Sequence, residues 1–90
     1  MQVEHDKGTH RFLAQTPSGT AVLKYREKGS GALELYSTFV PEQDREQGIA
    51  GRLVEAALGY AREQGARVIP TCPYIARWLR EHPEHAELVV

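Results

Sequence analysis

The feature that most constrains the fold is a change of hydrophobic period at residue 48. From residue 48 to residue 64, apolar side chains recur at spacings of three and four, which predicts an amphipathic helix: Ile49, Ala50, Leu53, Val54, Ala57, Leu58 and Ala61. Gly65 is typical of a left-handed C-terminal cap, and Arg62 in the last turn suits the helix dipole. Because residues 66–70 form an apolar run too short for a helix, we predict a strand–helix–strand crossover whose two strands are parallel.

Ahead of this helix, apolar and polar residues alternate with a period of two, which is typical of antiparallel strands with one buried face. We predict strands at residues 11–15, 20–27 and 32–40. Thr16-Pro17-Ser18-Gly19 suits the tight turn of a hairpin between the first two strands. Pro41 stops the third strand because proline has no backbone donor. Val3 is compatible with a further short strand.

The same alternation assigns faces to the predicted strands. On the second strand one face carries Ala21, Leu23 and Tyr25, and the other carries Lys24 and Arg26. On the third strand one face carries Leu33, Leu35 and Phe39. We expect the apolar faces of both strands to contact the helix and form the core.

A second, shorter helix is predicted after the crossover. Pro73 is favoured at the first helical position and pushes the preceding Cys72 out of helical geometry, which makes Cys72 the N-cap. Apolar side chains then repeat at helical spacing until His82-Pro83. Residues 88–90 could add an edge strand or dock on the core. The predicted fold class is α/β with an α+β mixed sheet: antiparallel N-terminal strands, the crossover and a short C-terminal helix, in a single domain over residues 1–90.

Charge and composition argue against several classes of function. The 11 basic and 12 acidic residues give a net charge of −1, so no strong field would attract nucleic acid or an anionic membrane. No apolar stretch approaches the roughly 20 residues that span a bilayer, and we expect a cytoplasmic protein. One cysteine and four scattered histidines predict neither an internal disulfide nor a structural zinc site.

The turn before the long helix is suited to bind an anion. It reads Arg45-Glu46-Gln47-Gly48-Ile49-Ala50-Gly51, where unpaired backbone N–H groups and the positive end of the helix dipole are expected. Gly48 and Gly51 lack a Cβ atom, so a diphosphate could approach the backbone, and Arg45 or Arg52 could add a charge-assisted contact. The alternative is that the glycines only allow the turn and let the helix pack on the sheet.

The spacing Arg45-x-x-Gly48-x-Ala50 resembles the Arg/Gln-x-x-Gly-x-Gly/Ala motif of GNAT N-acetyltransferases, again after a strand and at the opening of a helix. Residues 47–54 followed by residues 68–74 also resemble a small single-domain GNAT subfamily whose members are about this length. The resemblance covers roughly residues 33–88. One position departs from it, because Ser37 stands where we expect a histidine before Thr38, and a catalytic role tied to that histidine has no carrier here.

The resemblance implies a site for acetyl-coenzyme A in a V-shaped opening between the strand that ends near Val40 and the strand of residues 68–70. The pyrophosphate would lie at the helix start. The pantetheine arm would pair with main-chain groups of Phe39 and Val40 almost like an added strand. The cofactor-binding residues implied in this way are Phe39, Val40, Arg45, Glu46, Gln47, Gly48, Ile49, Ala50, Gly51, Arg52, Cys72 and Pro73, with no metal.

Two residues beside the last strand are candidate catalytic groups. At an N-cap, Cys72 would feel the positive end of a helix dipole, which favours the thiolate, although a lone cysteine is often a small buried hydrophobe. The resemblance places the matching cysteine near the thioester, either as an acetyl carrier or as part of the pocket wall. Tyr74 could protonate the departing coenzyme A thiolate, or simply pack with a wet hydroxyl. Glu34, His5 and His10 are conceivable bases that the sequence does not place.

The resemblance therefore implies transfer of an acetyl group from acetyl-coenzyme A to a primary amine of a protein or a small molecule. One alternative is a non-catalytic module for coenzyme A binding or protein interaction that keeps the phosphate turn and lacks a base. Another is a plain α/β scaffold. Because larger GNAT domains carry extra elements around the acceptor, the acceptor cleft of so short a chain could be open, or completed by a partner or by oligomer formation.

Overall fold

A computed structural model describes residues 2–90, which form a mixed five-stranded sheet with helices. The strands, in spatial as well as chain order, are β1 (Val3–Asp6), β2 (Arg11–Thr16), β3 (Gly19–Lys28), β4 (Ala32–Phe39) and β5 (Arg67–Pro70). Strands β1 to β4 are antiparallel, whereas β5 is parallel to β4. The predicted mixed sheet is confirmed, including the short strand around Val3.

Helix α1 (Ile49–Gln64) makes the crossover between β4 and β5. Glycines in the left-handed region flank it, with φ 77° at the N-cap Gly48 and φ 64° at the C-cap Gly65. The Gly65 amide donates to carbonyls of the last turn, so the C-cap predicted from the sequence is confirmed. The second helix, α2 (Pro73–Arg80), begins after the N-cap Cys72, also as predicted.

The core lies between the sheet and the helices, and both helices cover the same face. The side chains of Leu23, Leu35 and Val68 are completely buried there, together with Leu53 and Val54 of α1. Tyr25, at the far end of β3, is 2% exposed. The predicted inward face of the second strand is therefore confirmed, and the core positions the start of α1 over the end of β4.

Strand β4 contains a β-bulge at Tyr36, which corrects one prediction. The register between β3 and β4 shifts by one residue at this point, and Tyr36 has no direct partner on β3. An extra residue moves every following side chain to the opposite face. Leu33 and Leu35 are buried as expected, but Phe39 lies on the outer face and is 53% exposed. The prediction that Phe39 shares their face is wrong, because strict alternation does not anticipate a bulge.

The two parallel strands separate halfway along β4. The last residue pair of their ladder is Leu35 and Pro70. The Cys72 amide makes one further bond to the Leu35 carbonyl, at 3.1 Å, and the chain then turns into α2. Because β4 continues to Phe39 while β5 has ended, the last residues of β4 border an opening in the sheet.

The two helices approach each other closely at Gly51. A Cβ atom at this position would lie 3.1 Å from Nε1 of Trp78 on α2, so the absent side chain makes room for the indole. Trp78 itself is 8% exposed and stacks on His82, with 3.7 Å between ring centroids. Gly51 therefore has a packing role, as in the alternative interpretation of the glycine turn.

The C-terminal residues dock on the core beside β5. A 3-10 turn over Pro83–Leu88 packs against α1 and α2, and Leu88 is buried. Val89 forms an isolated parallel bridge with Val68, and the Val90 amide donates to the Val68 carbonyl at 3.0 Å. Both alternatives left open by the sequence thus hold in part. In the part of the chain that the structure describes, the helices are too short or too polar to cross a membrane.

The helix contact predicts opposite effects for two glycines of α1. We expect Gly51→Val to lower the free energy of unfolding by about 1–3 kcal/mol, because the added side chain collides with Trp78. Gly59 is exposed and has open space around its Cβ position, so Gly59→Ala should raise the free energy of unfolding by up to about 1 kcal/mol through helix propensity. Urea denaturation measures both, and equal effects would contradict the proposed packing role of Gly51.

Candidate functional site

A cavity of about 370 Å³ lies at the point where the sheet opens. The end of β4, the 3-10 turn of Glu42–Asp44, the start of α1 and the first turn of α2 form its wall. Its lining residues are Thr38, Phe39, Val40, Asp44, Arg45, Glu46, Gly48, Ile49, Ala50 and Tyr74. Main-chain groups of a strand edge and of a helix N-terminus thus border the same space.

Backbone amides at the start of α1 provide an anion-binding surface. The first bond within the helix runs from the Arg52 amide to the Gly48 carbonyl, at 3.2 Å. The preceding amides of Ile49, Ala50 and Gly51 have no acceptor within the helix, and no side chain among residues 2–90 caps this end. Since α1 is 16 residues long, the positive end of its dipole coincides with these amides.

The loop that enters α1 adopts an unusual backbone conformation. Glu46 has φ 66° and Gly48 has φ 77°, so two of three consecutive residues are left-handed. A side chain in this region costs roughly 1 kcal/mol, and only glycine avoids the penalty. Non-glycine residues in such conformations concentrate at binding sites, where the surrounding structure imposes them.

Arg45 is fixed at the mouth of the cavity. Its Nε donates a hydrogen bond of 3.0 Å to the Val40 carbonyl. A guanidinium carries five N–H donors, so the others can serve an anion in the cavity. The Val40 carbonyl is thereby occupied, which leaves less of the Val40 main chain for the pairing with pantetheine that the sequence predicts.

Asp44 holds the cavity loop to the β2–β3 turn and was missed by the sequence analysis. It is 3% exposed, and its carboxylate accepts bonds from the Ser18 amide at 2.9 Å and the Ser18 hydroxyl at 3.3 Å. The hydroxyl of Thr16, followed by the Ser18 groups, lowers the pKa of Asp44 from its ordinary value. The Thr16 hydroxyl also lies 3.0 Å from the Gly19 carbonyl and has one proton to share between the two acceptors.

Tyr74 reaches the cavity from the first turn of α2. Burial raises the pKa of Tyr74 above its ordinary value of 10.0; the positive charge of Arg77 opposes this, and Glu81 and Cys72 add to it. The phenol is therefore protonated at neutral pH. It is suited to donate a proton to a group in the cavity that becomes negatively charged.

Cys72 stands behind the cavity wall. Its side chain is buried, and its Sγ lies 3.6 Å from the Thr38 hydroxyl, which does line the cavity. The thiol is thus one contact away from the cavity. Thr38 is a cavity residue that the sequence does not predict, because its inward orientation follows from the bulge at Tyr36.

The sequence profile of the GCN5-related N-acetyl-transferase family matches residues 11–88 of the chain. The chain belongs to this family. It is 35% identical over 85 residues to Protein NATD1 of Gallus gallus, covering 92% of this chain and 77% of that protein. It is 33% identical over 94 residues to Protein NATD1 of Danio rerio, covering 100% of this chain and 86% of the relative.

A solved structure has the same fold. The NMR structure of a GCN5-like protein from Staphylococcus aureus superposes with a TM-score of 0.80, covering 99% of this chain and 87% of that one. Sequence identity is 18%, so this likeness concerns the fold alone. The resemblance to GNAT N-acetyltransferases and the GNAT-like fold predicted from the sequence are both confirmed.

Within this family member, the structure brings most of the predicted site residues to one cavity. Those that line it are Phe39, Val40, Arg45, Glu46, Gly48, Ile49, Ala50 and Tyr74. The predicted residues that do not line it are Gln47, Gly51, Arg52, Cys72 and Pro73. The binding and catalytic roles of all these residues stay predictions, and Gly51 contributes a packing contact whether or not its amide binds a ligand.

The three conceivable bases lie outside the cavity. Glu34 is bonded to the Thr71 hydroxyl at 2.6 Å and paired with Arg26 and Lys28, and these contacts, Thr71 first, lower its pKa. His5 and His10 contact the aromatic ring of Tyr25 at the other end of β3, where the His5 Nε2 lies 2.6 Å from the Tyr25 hydroxyl. Burial lowers the pKa of His5 and raises that of Tyr25 to about 12.

The contacts of Asp44 predict a pH-dependent contribution to stability. Because the folded-state pKa of Asp44 lies below its ordinary value of 3.8, its contribution is present above that pH and is lost as the pH falls through the folded-state pKa. We expect Asp44→Asn to lower the free energy of unfolding at pH 7 and to flatten its decline below about pH 4. Ser18→Ala, which keeps the amide bond, should have a smaller effect. Denaturation curves at several pH values test this. If the free energy of unfolding of Asp44→Asn declined below pH 4 as steeply as that of the wild type, the prediction would be wrong.

Proposed function

We propose that the protein uses acetyl-coenzyme A to acetylate a primary amine, and that the cofactor occupies the cavity between β4 and α1. The observation that supports this most is the meeting of two main-chain surfaces in one space. The amides that begin α1 border the cavity at one end, and the edge of β4 left by β5 borders it along the side. Membership of the N-acetyltransferase family supplies the chemical class.

The diphosphate of coenzyme A would lie against the start of α1. Its negative charge would accept bonds from the amides of Ile49, Ala50 and Gly51, and Arg45 would add a charge-assisted contact. The left-handed backbone at Gly48 keeps the approach free of a side chain. Two carboxylates, Asp44 and Glu46, also line the cavity, so the amides have to provide most of the attraction.

The thioester would reach along β4 towards the bulge. Main-chain N–H groups of the strand edge would polarise its carbonyl, and the amine nitrogen would attack the carbonyl carbon as the C–S bond breaks. The nitrogen, which carries an extra proton after its attack, would release that proton to water. The departing thiolate would take a proton from the Tyr74 hydroxyl, and solvent would reprotonate Tyr74. Cys72 as an acetyl carrier stays a prediction, because its Sγ contacts Thr38 rather than the cavity.

The amine would lose its proton to water before it attacks. Among residues 2–90, the titratable groups that line the cavity are Asp44, Arg45, Glu46 and Tyr74, with no histidine. The buried Asp44 is held as a carboxylate by Thr16 and Ser18, and its lowered pKa makes it a weak base. Because the cavity is open to solvent, water can accept the proton of the amine in place of Asp44.

The glycine at the start of α1 provides a test of cofactor binding. Gly48→Ala should weaken acetyl-coenzyme A binding at least about tenfold, because a methyl group enters the space of the diphosphate. Gly65→Ala is the matched control, since Gly65 is equally left-handed and open at the other end of α1. Both variants should lose roughly 1 kcal/mol of stability, and calorimetry should show weaker binding in Gly48→Ala alone. Equal affinity in the two would contradict the proposed diphosphate site.

The proposed acid predicts a separation of turnover from binding. Tyr74→Phe should lower kcat about 100-fold with little change in KM, because the hydroxyl acts on the leaving group rather than on binding. The wild-type kcat/KM should rise with pH towards the pKa of a lysine acceptor, about 10.4, since only the free amine attacks. Tyr60→Phe on α1 is the control. Mass spectrometry of the acetylated acceptor measures the rates. A Tyr74→Phe variant with the wild-type kcat would contradict the role of Tyr74 as the general acid.

The absence of a histidine among the described lining residues also favours a second candidate, a module that binds coenzyme A without catalysis. The two candidates make different predictions for the same sample. A catalytic protein acetylates lysine peptides or polyamines above the rate of the uncatalysed reaction. A binding module gives the calorimetric signal and no transfer.

A further inference from the structure

Within residues 2–90, no helix or strand covers the outer face of the sheet. Helices α1 and α2 both pack on the inner face, and the shortest dimension of the molecule is 19 Å, which corresponds to one sheet and one layer of helices. Side chains on the outer face therefore meet solvent or a bound molecule.

An apolar row crosses this outer face and ends at the cavity. Leu13 on β2 pairs with Val22 on β3, and Val22 pairs with Phe39 on β4, so the three side chains stand next to each other on one face. Phe39 is 53% exposed and also lines the cavity. The bulge at Tyr36 turns Phe39 outward, so the chain gives up the burial of a large aromatic side chain to place it there.

Charges of both signs border the apolar row, because Glu4 on β1 is the direct partner of Leu13 at one end and positive side chains occupy the neighbouring row nearer to Phe39. Arg11 and Lys24 are direct cross-strand partners in the neighbouring row, and Asp6 stands opposite Arg11 on β1. Within residues 2–90, Lys24 forms no ion pair with a carboxylate. Arg26, two residues further along β3, lies over the Tyr36 ring at 3.8 Å and is paired with Glu34. The charge of Lys24 beside the apolar row is thus available to a bound molecule.

We propose that this surface, the acceptor face formed by Leu13, Val22, Lys24 and Phe39, binds the acceptor of the acetyl group. The acceptor is then a polypeptide that carries an apolar side chain and a carboxylate close to the lysine that is acetylated. This inference rests on the proposed acetyl transfer and specifies its substrate class. The apolar row would hold the apolar side chain, and Lys24 would attract the carboxylate.

The dimensions of the acceptor face suit an extended segment. Three adjacent strands at about 4.8 Å spacing make the row about 10 Å long, which equals about three residues of extended chain. The lysine would therefore enter between Phe39 and the bulge at Tyr36, towards the proposed position of the thioester, within a few residues of the apolar anchor. A free polyamine offers no apolar side chain, and its charges repel Lys24 and Arg11. A second copy of the chain that docked on this face with a two-fold axis parallel to β3 would place Lys24 opposite Lys24 of that copy. The two positive charges would repel each other, which disfavours this dimer.

Defined peptides test the substrate class. Each has a blocked N-terminus and one lysine: the first carries leucine and glutamate near the lysine, the second replaces glutamate by arginine, and the third replaces leucine by serine. Spermidine serves as the small amine. We expect kcat/KM for the first peptide to exceed that of each of the others about threefold or more at low salt, with the charge preference shrinking at high salt. Mass spectrometry of the acetylated products gives the rates.

A charge exchange locates the preference on the acceptor face. Lys24→Glu should reverse the order of the glutamate and arginine peptides, and Leu13→Ser with Val22→Thr should remove the advantage of leucine over serine. Lys7→Glu makes the same change of charge in the β1–β2 turn, where Lys7 lies 5.7 Å from the Tyr60 ring, and should keep the wild-type order. Calorimetry with acetyl-coenzyme A on every variant separates altered selectivity from lost cofactor binding.

Several outcomes would overturn the inference. Equal rates for the three peptides, faster transfer to spermidine, or an unchanged order in Lys24→Glu would each contradict the acceptor face while leaving acetyl transfer intact. A wild-type dimer that the Leu13→Ser, Val22→Thr variant lacks, seen by analytical ultracentrifugation, would assign the face to a second copy. Transfer to none of the acceptors would overturn the inference and the proposed function together.

Discussion

The early end of the pairing between β4 and β5 is the constraint on which the rest of the site depends. The two strands begin side by side, and their ladder ends after Pro70 and one further bond from the Cys72 amide to the Leu35 carbonyl, where β4 still has several residues to run. The chain then turns at Cys72 into α2. A sheet edge is thereby created inside the fold rather than at its border, and the cavity occupies the gap.

Two further features convert this gap into a site. Crossover helix α1 starts directly above the end of β4, and its first amides face the same space because Gly48 accepts a left-handed turn that other residues resist. The bulge at Tyr36 gives the end of β4 two functions, since Thr38 points inward to Cys72 and Phe39 points outward. Strand β4 thus borders both the proposed cofactor site and the proposed acceptor face.

The sequence predicts the parts of this arrangement that depend on local chemistry. Helical periodicity gives α1, Gly65 gives its C-cap, and Pro73 gives the start of α2. The sequence does not predict the bulge, because a strand with a bulge has the same kinds of residue as a regular strand. The position of the bulge is determined by how β4 pairs with β3. Asp44 was missed for a similar reason: its partner Ser18 lies 26 residues away, and neither residue is distinctive in its own segment. The sequence assigns Gly51 to the anion-binding turn and does not predict its contact with Trp78, because that contact depends on how α1 and α2 pack.

The central claim is that the amides at the start of α1, which have no acceptor within the helix, bind the diphosphate of acetyl-coenzyme A. Amide chemical shifts report on this most directly, through a titration of the ¹⁵N-labelled protein with acetyl-coenzyme A. We expect Ile49, Ala50 and Gly51 to show the largest changes, because their amides form new hydrogen bonds to an anion, and we expect Phe39 to change with them. Shifts that leave these four amides unchanged while another surface responds would contradict it.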